Sequence, residues 1–332
     1  MHDIVLIPGD GIGPEITKSV TTIFEKADAP INWIRHTAGL IAHKEQGNPL
    51  PDETLNALKK HRVALKGPLT TPIGAGFRSV NVALRKKFQT HSNIRPAKSM
   101  PHIESRYRDI DLVMFRENTE GLYIGKENWV VENEHAESIA VVTRSASERV
   151  IRAAFEYAQN KGRQKVTLVH KANILKFTCG LFMEVGEEVA TEYPDIEYED
   201  LIIDNMAMQM VMYPHQYDII VTTNLFGDIL SDLASGLVGG LGLTGAANIG
   251  DNAAIFEAVH GSAPDIAGQN KANPIAFILS ALMLLEHVGE DDTANRIRRA
   301  IHATLADKRV CTADIGGSGS TTSFTDAVCE NL

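Results

Sequence analysis

Residues 217–232 read Tyr-Asp-Ile-Ile-Val-Thr-Thr-Asn-Leu-Phe-Gly-Asp-Ile-Leu-Ser-Asp, a β-branched run followed by a helical pattern. The run predicts a buried strand, and the residues after it predict a helix. On that helix, Asp228 and Asp232 lie one turn apart on one face. Two carboxylates on a rigid face suit Mg²⁺ or Mn²⁺. An isolated pair with this spacing is more often a helix cap and a solvated side chain, so the surrounding sequence must decide.

Strand-like and helical runs alternate along the chain. Apolar segments at 4–7, 63–65, 112–115 and 166–169 predict further strands, and a helical pattern covers 15–24. Strands that alternate with helices predict an α/β fold with a mostly parallel, doubly wound sheet. A length of 332 residues, of which 44% are hydrophobic, is enough for two domains.

The segment 122–143 interrupts this alternation. It contains three short apolar runs, at 122–124, 129–131 and 139–143, which are separated by polar residues. Closely spaced short runs are typical of antiparallel strands rather than of a strand–helix–strand unit. The segment therefore predicts a protruding antiparallel β arm.

The composition argues against several classes of protein. A net charge of -10 argues against a nucleic-acid or anionic-membrane partner, because those surfaces select basic proteins. The three cysteines are far apart and form no Cys-x-x-Cys pattern, so neither a disulfide framework nor a zinc site is indicated. The N-terminus lacks the features of a targeting peptide, and the longest apolar run, 276–285, is too short to cross a bilayer. The cysteines fit a reducing cytosol or matrix, and we expect a soluble, cytoplasmic protein.

A glycine-rich turn follows the first predicted strand. Gly9, Gly11 and Gly13 suggest the phosphate-binding loop of a Rossmann domain, but their spacing differs from Gly-x-Gly-x-x-Gly. Pro14 follows at once, and a carboxylate at Asp10 would repel a pyrophosphate. The segment predicts a tight strand-to-helix turn rather than a Rossmann nucleotide site.

The stretch 204–212 is rich in methionine. In a helix, Met206 and Met210 lie on one face, and Met208 and Met212 on another. Adaptable thioethers often fill a core, but a helix that is apolar on more than one side must be buried on more than one side. Together with the small-residue helix predicted after Asp228, this pattern suggests a subunit interface.

Six segments, in unbroken order from about residue 3 to about residue 328, resemble the β-decarboxylating dehydrogenase family. This family contains isocitrate, homoisocitrate and 3-isopropylmalate dehydrogenases. The segments are Ile7-Pro-Gly-Asp-Gly-Ile-Gly-Pro-Glu15, Lys66-Gly-Pro-Leu-Thr-Thr-Pro72, Arg116-Glu-Asn-Thr-Glu-Gly-Leu-Tyr123, His170-Lys-Ala-Asn173, Gly227-Asp-Ile-Leu-Ser-Asp232 and His260-Gly-Ser-Ala-Pro-Asp-Ile-Ala-Gly268. The resemblance changes the interpretation of Asp228 and Asp232 to metal ligands.

The resemblance implies an isocitrate/isopropylmalate dehydrogenase-like two-domain doubly wound fold, which is not a Rossmann domain. A larger, discontinuous cofactor-binding domain would comprise residues 1–96 and 252–332. A smaller domain, 97–251, would carry the arm at 122–143, the metal and substrate residues and the dimer contacts. Family members clasp a second subunit, so we expect a homodimer with shared active sites, or a higher oligomer that contains it.

By the same resemblance, Mg²⁺ or Mn²⁺ would be held by Asp228 and Asp232 of one subunit together with Asp204 of the other. Such a cation acidifies the hydroxyl of a 2-hydroxy acid and stabilises the enolate formed as CO₂ leaves. Lys171 would reach across the dimer and remove the hydroxyl proton, with help from Asp204. Tyr123 would reprotonate the carbon. Without the resemblance, these residues would be interpreted as surface, packing or helix-capping side chains.

Three arginines, Arg85, Arg95 and Arg116, match family motif positions and predict clamps for a polycarboxylate. Ser79 and Asn81 match the residues that contact the γ-carboxylate in isocitrate enzymes, whereas isopropylmalate enzymes have bulky apolar residues there. An alkyl group would leave each polar side chain poorly paired, at a cost of about 1–3 kcal/mol. Isocitrate is therefore favoured. Homoisocitrate, longer by one methylene, is the close alternative.

The segment 260–266 predicts the cofactor. Family members that use NADP tend to carry Lys-Tyr where this chain has Asp265 and Ile266. A carboxylate at Asp265 can accept hydrogen bonds from a ribose diol and would repel a 2′-phosphate, so we expect NAD. Further residues implied by the resemblance are Asn173 for the substrate and Thr70, Glu257, His260, Gly261, Ser262, Ala263, Pro264, Ile266 and Asn273 for the cofactor.

One alternative is a protein without catalytic activity, the regulatory subunit of a heteromeric isocitrate dehydrogenase. Such subunits typically lack part of the Tyr, Lys and Asp set. Here Tyr123, Lys171, Asp204, Asp228 and Asp232 are all present. The sequence therefore favours an enzyme, and NADH production by the single chain would distinguish the two.

Overall fold

The computed structural model describes residues 1–72 and 76–332. The strands within these residues are β1 His2–Ile7, β2 Ile31–Arg35, β3 Val63–Lys66, β4 Ser92–Lys98, β5 Asp111–Glu117, β6 Glu127–Val131, β7 His135–Ser138, β8 Lys165–His170, β9 Glu197–Ile202, β10 Ile219–Thr222, β11 Gly245–Ile249 and β12 Ala254–Ala258. The α-helices are α1 Gly13–Lys26, α2 Leu40–Gln46, α3 Asp52–His61, α4 Val80–Lys87, α5 Arg144–Lys161, α6 Thr178–Ala190, α7 Ile203–Met212, α8 Asn224–Leu237, α9 Ile275–His287, α10 Asp291–Thr304 and α11 Thr321–Glu330.

Ten of the strands form one sheet in the order β2-β1-β3-β12-β11-β4-β5-β10-β8-β9. The strands toward each end of this order pair in parallel, as the sequence predicts. At the centre, the β12–β11, β11–β4 and β4–β5 pairs are antiparallel. The two parallel groups therefore run in opposite directions and are joined by β11 and β4.

Helices cover both faces of this sheet. In β1, Leu6 packs into a core cluster with α1, α9, α10 and α11, whereas Val5 faces a second cluster with α3 and α4. In β10, Val221 packs with α5 and α6, and Ile220 faces α7 and α8. Alternate residues of a strand point to opposite faces, so both parallel groups are buried on two sides. The predicted doubly wound α/β fold is confirmed.

The four core clusters are segregated along the chain. The two clusters around β1 use residues 4–84 and 243–328. The two around β10 use residues 97–238. The predicted domain boundary at residue 251 lies beyond β11, whose Ala247 packs with the terminal segments. The two-domain division stays a prediction, which this segregation supports.

The segment predicted as an arm contains β6 and β7, which form a separate two-stranded antiparallel sheet. The apolar runs 122–124 and 139–143 are not strands, so the assignment of strand-like runs is wrong in this detail. Gly121 and Gly125 have positive φ and flank a 3₁₀ turn at 122–124, which prevents an extended backbone there. Every residue of β6 and β7 is exposed, including Trp129 at 57%. The arm therefore projects from the rest of the chain.

The glycine-rich segment after β1 forms the tight turn that its sequence predicts. Gly11 has a φ of 59°, and a Cβ atom there would lie 1.9 Å from the carbonyl oxygen of Ser262. The buried carboxylate of Asp10 accepts three backbone N–H groups at 2.8–2.9 Å, which belong to Leu40, Ile41 and Thr70. Asp10 thus joins α2 and the loop after β3 to the turn.

The methionine-rich helix α7 is buried on one side only. Met206 and Met210 are fully buried in the core between α7, α8 and the sheet. Met208 and Met212 are 49% and 52% exposed. The predicted second apolar face is therefore present and is left uncovered by the chain itself.

In the described part of the chain, no helix is both long enough and apolar enough to cross a membrane.

Candidate active site

Three arginines lie near one another beside the centre of the sheet, and two of them, Arg85 and Arg95, line a cleft. Arg95 extends from β4, Arg116 from β5 and Arg85 from α4. Arg116 is only 1% exposed. Burial, together with the charges of Arg85 and Arg95, lowers the pKa of Arg116 to about 10. The three guanidinium charges repel one another in a place that water solvates poorly. A ligand with several carboxylates would reduce this repulsion. We call these three residues the arginine cluster.

Asp228 and Asp232 on α8 face this cluster. Arg116 Nη1 donates a short hydrogen bond to Asp228, and Arg95 lies 3.4 Å from Asp232 Oδ1 and 3.6 Å from Asp228 Oδ1. The Tyr123 hydroxyl donates to Asp228 Oδ2 at 2.5 Å. Burial and the Asp228 carboxylate raise the pKa of Tyr123, so its phenol stays protonated. The predicted acid thus lies beside one of the predicted metal ligands.

The aspartates have the chemistry of a partial metal site. Burial would raise the pKa of Asp228, but Arg116 and Tyr123 outweigh it and hold the pKa below its usual value. Both carboxylates retain exposed surface that a ligand can reach. Their hard oxygen atoms fit Mg²⁺ or Mn²⁺, and their role as metal ligands stays a prediction. Among residues 1–72 and 76–332, however, no three acidic, histidine or cysteine side chains come together to hold a metal ion.

Two supporting side chains were not identified from the sequence. Asn224 Oδ1 accepts hydrogen bonds from Arg116 Nε and Nη2 at 2.9 and 2.8 Å. Ser231 Oγ accepts from Arg95 Nη1 at 2.7 Å. Residues 224, 228 and 231 follow helical spacing along one face of α8, so periodicity alone could have suggested them. They hold the guanidinium groups of Arg116 and Arg95 in place.

Lys171 and Asp204 form a second group of catalytic candidates. Lys171 follows β8, Asp204 lies in the first turn of α7, and the ammonium donates a short hydrogen bond to the carboxylate. This bond lowers the pKa of Asp204. The Asp204 side chain is 69% exposed, and it is not grouped with Asp228 and Asp232 in the described chain. The action of Lys171 and Asp204 across a dimer stays a prediction.

The opposite wall of the cleft carries an ion pair that involves Lys66, a residue that sequence analysis did not assign. Lys66 Nζ lies 2.6 Å from Glu257 Oε2, and Arg85 Nη2 lies 3.3 Å from Oε1. Burial by itself would raise the pKa of Glu257, but Lys66 and Arg85 hold it far below its usual range. A lysine that ends a buried strand before Gly67 was the available signal. The cleft has an empty volume of about 450 Å³.

The predicted specificity residues lie at the start of α4. Ser79 is the N-cap, and its Oγ accepts the N–H of Val82 at 3.4 Å. Asn81 lines the cleft one turn before Arg85. Its Oδ1 atom is buried and has no hydrogen-bond partner among the described residues. A ligand that donates a hydrogen bond, or an ordered water, would satisfy it.

The predicted cofactor segment lies at one end of the cleft. Ser262 Oγ lies 2.7 Å from Thr70 Oγ1, which joins the 260–266 loop to the loop after β3. Burial lowers the pKa of His260, so its imidazole is neutral. His260 and Gly261 line the cleft. Of the other predicted cofactor residues in this segment, Asp265 and Pro264 are exposed, and Ala263 and Ile266 are partly buried. Asn273, which follows the segment, donates a hydrogen bond to Asp314 at 2.9 Å.

Of the predicted substrate residues, Asn81, Arg85 and Arg95 line this cleft, whereas Ser79, Arg116 and Asn173 do not. Asn173 lies in an exposed loop after β8, two residues beyond Lys171. Neighbouring Ile174 and Phe177 are 67% and 91% exposed. Exposed apolar side chains of this kind are typical of an interface. Asn173 therefore belongs with the Lys171 group rather than with the arginine cluster.

The chain is similar over its full length to known proteins. The family described as isocitrate/isopropylmalate dehydrogenase matches residues 3–328. The NAD isocitrate dehydrogenase catalytic subunit 5 of Arabidopsis thaliana is 49% identical, over 98% of this chain and 87% of that protein. A regulatory subunit of the NAD isocitrate dehydrogenase of Dictyostelium discoideum is 48% identical, over 100% of this chain and 92% of that protein. These two relatives are both named mitochondrial.

A solved structure is also very similar. The isocitrate dehydrogenase from Methylococcus capsulatus superimposes with a TM-score of 0.97 at 54% identity and covers 100% of this chain and 99% of that chain. The two proteins are therefore similar in sequence as well as in fold. The chain therefore belongs to the isocitrate/isopropylmalate dehydrogenase family.

Proposed function

We propose that the protein is an NAD-dependent isocitrate dehydrogenase, which converts isocitrate to 2-oxoglutarate and CO₂ with Mg²⁺ or Mn²⁺. The observation that carries this proposal is the arginine cluster beside Asp228, Asp232 and Tyr123. Three guanidinium groups match a tricarboxylate, and the aspartates match a hard cation. The names of the relatives agree with this substrate and this cofactor.

The residues of the chain take separate roles in this reaction. When bound, NAD accepts the hydride from C2 and a divalent cation supplies Lewis-acid stabilisation. The arginine cluster binds the carboxylates and orients the C3 carboxylate for loss as CO₂. Lys171 takes the hydroxyl proton, with Asp204 as its hydrogen-bond partner. Tyr123, which keeps its proton, donates to C3 after decarboxylation.

A second subunit completes the site in this proposal. Asp228 and Asp232 supply two ligands of the cation, and Asp204 of another copy supplies the third. Exposed apolar side chains on α7, on the arm and after Lys171 give such a copy a surface to cover. We propose a homodimer, which can be part of a larger oligomer. The relatives are named as subunits, so a related chain is the alternative partner.

A side-by-side rate measurement tests the proposed function. NADH formation should be fastest with isocitrate, slower with homoisocitrate and slowest with 3-isopropylmalate. Asn81 lines the cleft with a polar side chain, and we propose that it contacts the third substituent together with Ser79, at the start of the same helix. EDTA should abolish the reaction and excess Mg²⁺ should restore it. A higher kcat/KM with homoisocitrate or 3-isopropylmalate would assign the chain to those substrates.

The preference for NAD is a second expected result. The exposed Asp265 carboxylate should disfavour the 2′-phosphate of NADP. Replacing Asp265 by Asn should leave the kcat/KM for NAD within a few-fold and raise that for NADP by about tenfold, since one charge repulsion of roughly 1–2 kcal/mol is removed. Steady-state rates with both cofactors provide the measurement. Equal kcat/KM values for the two cofactors in the wild type would contradict the proposed preference.

A regulatory role without activity is the second candidate function, because one relative at 48% identity is named a regulatory subunit. Such a protein would bind citrate or a nucleotide without turnover. The presence of Tyr123, Lys171 and all three aspartates favours the enzyme. A purified single chain that binds isocitrate but forms no NADH with Mg²⁺ would support the regulatory role.

We retain a cytoplasmic location as a proposal. The mitochondrial names of the relatives point to a different compartment for those proteins. Fractionation of the source cells would decide.

A further inference from the structure

A network of buried polar side chains crosses the centre of the sheet, and Asn248 is the residue that joins its members. This residue lies on β11 and is 2% exposed. Its Nδ2 donates to Glu257 Oε1 at 2.8 Å and to the Ile255 carbonyl at 3.1 Å. Its Oδ1 accepts from Asn93 Nδ2 at 2.9 Å and from Asn118 Nδ2 at 2.8 Å. An amide offers two donors and two accepting lone pairs, so every hydrogen-bonding position of Asn248 is used.

Asn248 connects the two walls of the cleft. On one side, Asn93 Oδ1 accepts from Arg95 Nε at 2.7 Å, so two hydrogen bonds separate Asn248 from the arginine cluster. On the other side, Glu257 contacts both Lys66 and Arg85. The residues lie on β4, β11, β12 and β3, which are successive strands of the sheet. A buried hydrogen-bond network whose central residue is fully paired, as Asn248 is, holds the side chains around it in one geometry.

We infer, on the basis of the proposed function, that Asn248 is a positioning residue for the reaction. It orients the Arg95 guanidinium through Asn93, and it orients the Glu257 carboxylate directly. Through Glu257 it also limits how closely Arg85 and Lys66 can approach that carboxylate. Asn248 touches none of the reacting atoms, and its effect on them is indirect.

The direction of each hydrogen bond explains why an amide is needed. Asn93 presents Oδ1 to Arg95 only while its Nδ2 group has an acceptor, and Asn248 Oδ1 is that acceptor. If this acceptor is lost, the Asn93 amide can rotate and turn its NH₂ group toward the guanidinium. If the Asn248 donor is lost, Glu257 Oε1 keeps only Arg85 as a partner. Arg85 would then be drawn toward Glu257 and away from a bound anion.

The test compares two amides that share one hydrogen bond. Asn248→Ser removes the bridge, because a hydroxyl on a shorter side chain cannot reach Asn93 and Glu257 together. Asn118→Ser is the matched control, since Asn118 is equally buried and contacts Asn248 and the Thr90 carbonyl but neither Arg95 nor Glu257. Both variants lose buried hydrogen bonds, so both should show a lower Tm.

The expected kinetic results differ between the two variants. Asn248→Ser should lower kcat/KM for isocitrate by about a hundredfold and raise KM, because displacement of a binding group by about 1 Å costs about that much. Asn118→Ser should stay within about twofold of the wild type. If kcat/KM falls equally in the two variants, Asn248 contributes only to stability and the inference is wrong. If Asn248→Ser does not fold, Asn248→Asp, which keeps the volume but has no donors for Glu257, replaces it.

A crystal structure of the Asn248 variant separates this inference from the proposed substrate. Arg95 and Glu257 should be displaced from their wild-type positions even if no substrate is turned over. If these two side chains keep their positions, the inference is wrong whatever the activity. If they move and the wild type forms no NADH from isocitrate, only the proposed function is wrong.

Discussion

Replacing Asp228 by Asn is expected to lower kcat/KM for isocitrate about a thousandfold. The substitution removes a charged oxygen ligand and with it several kcal/mol of stabilisation of the developing negative charge, where each 1.4 kcal/mol is about tenfold in rate. The fold should survive, because the amide oxygen can accept from Arg116 while the amide NH₂ group donates to the hydroxyl oxygen of Tyr123. Rates at saturating and subsaturating Mn²⁺ are the measurement, and the variant should also need far more Mn²⁺.

The control for this substitution is Asp326→Asn. Asp326 is exposed on α11, far along the chain from the aspartates of α8. The Asp326→Asn substitution changes the charge by the same amount and should leave the rate and the Mn²⁺ requirement unchanged. An Asp228→Asn protein with an unaltered Mn²⁺ dependence would show that α8 does not hold the cation.

Mixing two inactive variants is expected to restore activity. Lys171→Met and Asp228→Asn should each be nearly inactive alone. If Lys171 and Asp204 act in the site of the neighbouring copy, a mixed dimer contains one intact site and one site with both substitutions. Random pairing makes half of the dimers mixed, and half of their sites intact, so about a quarter of the wild-type activity should return.

The control for the mixing experiment uses residues from a single group. A mixture of Asp228→Asn with Asp232→Asn places both substitutions on the same helix, so each site of every dimer carries one of them. This mixture should stay inactive. If the Lys171→Met and Asp228→Asn mixture also stays inactive after unfolding and refolding together, Lys171 and Asp228 serve the same site within one chain. The shared active site would then be wrong.

Local patterns predicted much of the fold. The strands β1, β5, β8 and β10 are runs of β-branched and large apolar residues, and each lies where the sequence indicates. The spacing of Asp228 and Asp232 identified one face of α8. In contrast, β11 reads Gly-Ala-Ala-Asn-Ile and has no clear strand pattern. Its small residues reflect close packing, since a Cβ atom at Gly245 would lie 2.7 Å from the backbone nitrogen of Ser280.

The supporting network of the site could not be predicted in the same way. Asn248 and Asn93 are separated by 155 positions in the sequence. Lys66 and Glu257 meet only because β3 and β12 are neighbours in the sheet. A single sequence contains no signal that pairs such distant residues, whereas Asn224 and Ser231 share the helical period of Asp228. Local periodicity therefore finds side chains on one element, and strand order decides those that join several.

The strand order also has a consequence for synthesis of the protein. β3 and β4 are made early, but the strands that lie between them, β12 and β11, follow about 150 residues after β4. Until residues 245–258 leave the ribosome, a nascent chain has two strands with unpaired inner edges. Open edges of this kind recruit other chains and favour aggregation. The β11–β12 hairpin is synthesised after β3 and β4. When β12 pairs with β3 and β11 pairs with β4, their open edges are covered.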